Sequence, residues 1–179
     1  MEGIKFFPQI GFFMEYSIRE VEFEDHKWLV GLHNDPLVLR NITNPNPITL
    51  DDHLNWWYNL GNDQKRLVFC VNGFRAGFCK FYNIDADNNN CILGADLHLD
   101  FRGKGHSIHM WKLMLNYCFD NLSMYRVSLR TAEYNTIARH LYKKLGFREE
   151  GVFSKSLFRD GQYYDEICMY YLKEWCDDN

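Results

Sequence analysis

Residues 91–122 hold the passage that most restricts how this chain can fold. An alternating apolar segment, CILGADLHL, runs through D-F-R-G-K-G straight into HSIHMWKLMLNYCFDNL. The first part has the period of a strand. Ile108, Trp111, Leu115, Cys118, Phe119 and Leu122 then recur at spacings of three and four, which predicts a helix from about Gly105 to Leu122 with one buried stripe. The simplest use of the two glycines is a turn between elements. The alternative is an anion cradle, in which Gly103 and Gly105 let backbone N–H groups at a helix start approach a phosphate while Arg102 and Lys104 add charge.

The flanking segments supply the rest of the architecture. EYSIREV alternates as a strand, and FEDHKWLVGLHND places Trp28, Leu29 and Leu32 on one helical face that Pro36 is expected to stop. Thr49 and Asp52 have the spacing of a capping box, opening a helix through LDDHLNWWYNL that ends at Gly61. RLVFCV and FRAGFCKFYNI read as strands joined at Asn72-Gly73, a strong hairpin signal. YRVSLRT is then strand, NTIARHLYKKLG is helix stopped at Gly146, and a last hairpin turns at Asp160-Gly161. The expected order is βααβββαβαββ in one domain, residues 14–175, with an N-terminal extension, 1–13, and a tail, 176–179.

Composition removes several classes of function. A chain of 179 residues supports one well-buried core, and a net charge of −4 with a pI near 6.0 argues against a nucleic-acid partner. Cys70, Cys79, Cys91, Cys118, Cys168 and Cys176 sit singly, without a C-x-x-C pair, as buried thiols of a reducing compartment do. MEGIKFFPQIGFF has no basic start and no unbroken apolar core, so neither a signal peptide nor a membrane partner is expected and the cytoplasm is the default. His106 and His109 lie three apart on one helix with no convergent third ligand, so no metal is expected. A free last strand would allow a homodimer.

The glycine passage is neither a Walker loop, which needs G-x-x-x-x-G-K-S/T, nor a dinucleotide fingerprint, which needs a third glycine near Ile108. It resembles the Q/R-x-x-G-x-G/A signature of the GNAT N-acetyltransferases, filled by Arg102 to His106 with Ser107 in place of the usual glycine or alanine. Residues 135–147, NTIARHLYKKLGF, are similar to that family's N-x-x-A-x-x-L-Y-x-x-x-G-F block. EEGVFSKSLFRDGQYYDEICMYYL is similar to the tail of the branch holding ribosomal-protein and several amino-sugar acetyltransferases.

The resemblance implies an α+β GNAT fold, with a central mixed, mostly antiparallel twisted sheet of about seven strands and four helices. It also implies acetyl-CoA as co-substrate. Arg102, Gly103, Lys104, Gly105, His106 and Ser107 would hold the pyrophosphate, Leu97 and Leu99 would offer backbone groups to the pantetheine, and Asn135 and Ala138 would contact CoA. Tyr142 would protonate the leaving thiolate; a purely structural reading makes it a core aromatic, as Asn135 can equally be a helix N-cap.

The base stays open at this level. Many relatives have a glutamate where Ile92 stands, and Ile92, Gly94, Asp96 and His98 share a strand face unless a bulge intervenes. Asp96, acting through water, is the first candidate, His98 the second and Glu133 a third; some relatives use no side-chain base, and a CoA-binding module without catalysis is a further alternative. The acceptor side would be built by the first two helices, their loop and the last hairpin, with Asn41, His53, Trp56, Trp57 and Glu133 as candidates. Trp56, Trp57 and Tyr58 lie about 100° apart in turn and cannot all face inward. Aromatic faces with several Asn side chains suit a sugar better than a polyamine, which would call for many carboxylates. The segment from HND to ITLDDHLNWW also resembles the acetyltransferases of nucleotide-linked amino sugars, and this resemblance implies as acceptor the amino group of a UDP- or dTDP-linked deoxyamino sugar, with the N-terminus of a protein such as a ribosomal protein as the alternative.

Overall fold

The computed structural model describes residues 14–176, so the expected extension over 1–13 and most of the tail lie outside the described residues. Seven strands form one sheet: β1 (Tyr16–Glu20), β2 (Lys65–Val71), β3 (Phe74–Asp85), β4 (Asn90–Leu97), β5 (Arg126–Ala132), β6 (Arg148–Arg159) and β7 (Gln162–Leu172). Their spatial order is β1-β2-β3-β4-β5-β7-β6, and every pairing is antiparallel except β4 with β5. The hairpin turns fall where the sequence places them. Asn72 and Gly73 have φ of 50° and 77°, and Asp160 and Gly161 have 51° and 80°, the positive pair that a tight two-residue hairpin requires. The second of these hairpins folds β7 back between β5 and β6. The edge strands among the described residues are thus β1 and β6, and the last strand, expected to be free, is paired on both sides.

Among the described residues five α-helices flank the sheet: α1 (His26–His33), α2 (Pro36–Asn41), α3 (Leu50–Tyr58), α4 (His106–Asn116) and α5 (Thr136–Lys144). The extra one arises at Pro36. Its side chain occupies the first helical position, where a missing N–H is harmless, and the Asp35 carboxylate accepts from the Leu37 and Val38 amides. Proline here starts a helix as well as ending one. The expected capping box does open α3: Asp52 N–H donates to the Thr49 hydroxyl and Thr49 N–H to the Asp52 carboxylate.

Strand alternation splits the sheet into two working faces. Leu67, Phe69, Cys79, Phe81 and Leu93 meet Met110, Trp111 and Met114 of α4 in the main core. Of the expected stripe Trp111, Leu115, Cys118 and Phe119 are buried and Ile108 and Leu122 only half-buried, and Met110 and Met114 widen it. On the opposite face Phe78 packs with Leu29, Leu32 and Val38 from the N-terminal helices. That smaller core leaves room over the middle of the sheet. Among the described residues no helix is long and apolar enough to cross a membrane.

Candidate active site

β4 and β5 pair only over Asn90–Ile92 and Arg126–Ser128, then part. β5 continues in full register with β7 while β4 stays with β3, so a wedge opens between Gly94 and Thr131. A cavity of about 460 Å³ fills it, lined by Gly94, Ala95, Asp96, Thr131, Asn135 and Tyr142 among others. The backbone edges facing this gap have no strand partner there, which suits a chain of amides such as pantetheine. Tyr142 stands edge-on to Trp111 with ring centroids 4.8 Å apart. Burial, with Asp96 adding to it, pushes the Tyr142 pKa well above the ordinary tyrosine value. The phenol therefore keeps its proton and can donate a hydrogen bond to a departing sulfur.

At the mouth of the wedge the chain turns through the two glycines. Gly103 and Gly105 have φ of 71° and 82°, and Gly105 is the N-cap of α4 without any side-chain cap. A Cβ built on either would meet no atom within 4 Å. The left-handed backbone and the uncapped N–H groups of α4 make an anion cradle that fits a pyrophosphate.

The side chains expected to assist do less than their sequence positions imply. Arg102 donates from Nε to the Leu97 carbonyl (2.8 Å) and from Nη1 to Asp35 (3.1 Å), so Asp35 already engages its charge. Lys104 caps the Asp100 carbonyl at 2.7 Å. The His106 ring turns inward, 3.3 Å from the Tyr16 hydroxyl, and burial lowers its pKa, which leaves its backbone N–H for an anion rather than its imidazole. Ser107 is half-buried behind it, Leu97 is packed against the core and Leu99 is exposed. Asn135 is the N-cap of α5, accepting from the Ala138 amide, and it also lines the wedge.

A second cavity of about 540 Å³ lies between α1, α3 and the sheet, walled by Leu29, Leu32, Ile48, Trp56 and Phe78, with Asp52 and His53 at its helical side. Ile42, Thr43, Lys80, Tyr82 and Asp96 line both cavities. The two spaces therefore meet at one ion pair. Lys80 Nζ and Asp96 Oδ2 are 2.6 Å apart, and each side chain is only 14% exposed. Burial works against the Lys80 ammonium, but Asp96 outweighs it and raises the lysine pKa.

Of the acceptor candidates, His53 and Trp56 line this cavity and Asn41 lines the wedge. His53 is almost fully buried, and burial followed by the neighbouring His26 holds its pKa down to about 4, so it is a neutral imidazole. Trp57 instead packs into the small core against His26, while Tyr58 faces solvent, as the 100° spacing required. Two base candidates fall away. β4 ends at Leu97, and His98 turns aside to accept from the Asp100 amide and stack on Trp28, outside both cavities. Glu133 accepts from the Asp165 amide at 2.9 Å and ties β5 to β7.

Lys80 and Arg66 were not singled out from the sequence. Their signal is a cation at an inward position of an alternating apolar strand, in RLVFCV and FCKFYNI. Arg66 lies beneath the cavity wall, 4.4 Å from the centre of the Tyr82 ring and 5.6 Å from that of Trp56.

Similarity to known proteins agrees with this geometry. A model of the acetyltransferase (GNAT) domain matches residues 17–148. Spermidine N(1)-acetyltransferase of Escherichia coli strain K12 is 28% identical over 160 residues, 86% of this chain and 83% of that protein. A putative ribosomal N-acetyltransferase of Bacillus subtilis strain 168 is 29% identical over 104 residues, 58% of this chain and 57% of the relative. Spermidine N-acetyltransferase of Vibrio cholerae, solved in complex with CoA and spermine, superposes with a TM-score of 0.82 at 25% identity, over 89% of this chain and 96% of that one. The chain belongs to the GNAT family of acetyltransferases and is an acetyl-CoA-dependent N-acetyltransferase.

Proposed function

We propose that the acceptor is a linear aliphatic di- or polyamine, bound in the cavity between α1, α3 and the sheet with one terminal amine at the Lys80–Asp96 junction. The observation that carries this reading is the meeting of the two cavities at that ion pair, with Tyr142 on the donor side. Much of the wall on the acceptor side is apolar, as methylene segments require, and two carboxylates line it, Asp52 at the helical rim and Asp96 at the junction. Hydrogen bonds from the Thr49 hydroxyl and amide hold the Asp52 pKa below the usual carboxylate range, so it stays charged. Trp56 adds an aromatic face for a second ammonium. The relatives named for spermidine acetylation support the same class.

The nucleotide-linked amino sugar has weaker support. Its diphosphate would approach Asp52 and Asp96, and the cation nearest to hand, Lys80, is engaged by Asp96. The two carboxylates come from separate elements and are not visible as a pair in the chain.

Acetyl-CoA supplies the thioester whose carbonyl carbon the amine attacks. Asp96 takes a proton from the acceptor nitrogen and passes it to water, while Tyr142 donates a hydrogen bond to the sulfur that leaves. The test is acetyl-CoA-dependent thiol release with three pools: spermidine and spermine, UDP- and dTDP-linked amino sugars, and short peptides with free N-termini. Turnover confined to the first pool is expected. Turnover confined to sugars or peptides would overturn the acceptor assignment and leave the enzyme class intact.

A further inference from the structure

We infer that Lys80 is a positioning residue for acetyl transfer: its ammonium fixes one oxygen of Asp96 at the junction of the two cavities and leaves the other to take the acceptor's proton. This rests on the reading of Asp96 as proton acceptor. Lys80 faces Gly94 across β3 and β4, and Asp96 lies diagonally beyond, opposite Phe78. A Cβ at Gly94 would stand 3.2 Å from the Tyr82 ring edge and hydroxyl and 3.6 Å from Lys80 Cε. Gly94 thus leaves room for the Tyr82 ring, and the lysine stem lies alongside at van der Waals distance. That stem reaches the Asp96 Oδ2 atom alone, at 2.6 Å.

An unpaired carboxylate at a site 14% exposed would draw a proton and lose its capacity as a base. The fixed cation prevents this, and it also stops the side chain from swinging into either cavity. The amine gives up two protons in all, one through Asp96 to water and one that ends on the released thiol.

Other titratable or charged groups surround the junction: Tyr82 beside Lys80, Arg66 behind it, Tyr142 across the wedge, His33, Asp52 and His53 on the helical wall, and Arg130 and Glu166 toward β7. Among the described residues only Asp96 comes within ion-pairing distance of Lys80.

The test compares Lys80→Met, Lys80→Arg and the double variant Lys80→Met with Asp96→Asn, using the amine that turns over best. In Lys80→Met the acidic limb of the kcat–pH profile should move up by about one pH unit or more, and kcat near neutrality should fall at least about tenfold. The acetyl-CoA dissociation constant should stay within about twofold, since neither residue touches the glycine turn. Lys80→Arg should recover part of the loss. The double variant removes the buried charge, so it should fold even if Lys80→Met does not, and its acidic limb should be absent. A Lys80→Met enzyme with the native limb and kcat, or a double variant with native kcat, overturns the assignment. If Asp96→Asn alone keeps native kcat, the proton-acceptor reading fails first, and separately. Should no amine turn over, the Asp96 carboxyl titration followed by carbon-13 NMR decides: it must rise in Lys80→Met, and an unchanged titration overturns the proposal.

Discussion

The Nδ1 atom of His26 lies 3.0 Å from Nε2 of His53, and both imidazoles are buried where α1 meets α3. One proton between the two facing ring nitrogens requires that one of them be unprotonated, so the pair cannot carry a proton on both. Burial lowers the pKa of each, and for His53 the neighbouring His26 adds to it, down to about 4. In the unfolded chain both would titrate near 6.5. As pH falls below that value the unfolded state takes up protons that the folded state refuses. The stabilising contribution is complete above about 6.5 and is lost progressively toward about 4. Thermal melts at half-unit intervals should show the melting temperature falling across this window. His53→Gln should flatten the slope without removing it, because His106 is also held low by burial. An equal slope in variant and parent would show that the pair does not govern this range.

Tyr142→Phe removes one oxygen from a ring that otherwise packs on Trp111 and Phe147. The packing survives and the hydrogen bond to sulfur does not. We expect kcat to fall roughly 10²–10³-fold, the usual loss for one preorganised donor in a buried site. The acetyl-CoA dissociation constant and the melting temperature should change little. Unaltered turnover would end the donor assignment and return Tyr142 to the role of a core aromatic.

The contrast between Tyr142 and His98 shows what a sequence can and cannot carry. The helix N-cap at Asn135 and the glycine turn at Gly103 and Gly105 were legible because they are matters of local chain geometry, whereas the role expected of Tyr142 came from the family block and not from its helix face. His98 follows strand parity on paper, but β4 ends one residue earlier and the ring leaves the face. Lys80 and Asp96 illustrate the opposite case. Sixteen positions separate them, and their meeting depends on the β3–β4 register, which no local pattern displays. Asp52 and Asp96, which line the cavity proposed for the acceptor, come together for the same reason, from α3 and β4.

Gly105 separates two effects that a single substitution would confuse. Its φ of 82° strains any β-branched residue, whereas a Cβ there meets no protein atom within 4 Å. Gly105→Val should raise the acetyl-CoA dissociation constant at least about tenfold, about 1.4 kcal/mol. Asparagine tolerates the left-handed region, so Gly105→Asn keeps the backbone and still fills the approach. If Gly105→Asn binds acetyl-CoA as the parent does, the glycine serves conformation alone and not clearance for the pyrophosphate.

Arg159 joins the last hairpin to the loop that separates the two cavities. Its guanidinium donates to the carbonyls of Arg40 (3.3 Å), Ile42 and Thr43 (3.2 Å), and Nη1 also reaches the Phe158 carbonyl at 2.6 Å. The side chain is buried, and Ile42 and Thr43 line both cavities. Without Arg159 those carbonyls would turn toward water and the loop would lose its fixed course. Arg159→Met should raise the acceptor KM about tenfold, with the acetyl-CoA dissociation constant within about twofold, because the glycine turn is untouched. The melting temperature should fall as well, by roughly 2–5 °C, since these carbonyls are only partly buried and that of Arg40 keeps the Tyr134 hydroxyl as donor. Arg159→Lys, which can satisfy fewer of them, should lie between. Steady-state kinetics with varied acceptor decides the matter: lower stability with an unchanged KM would make Arg159 a clamp for the fold and not for the acceptor site.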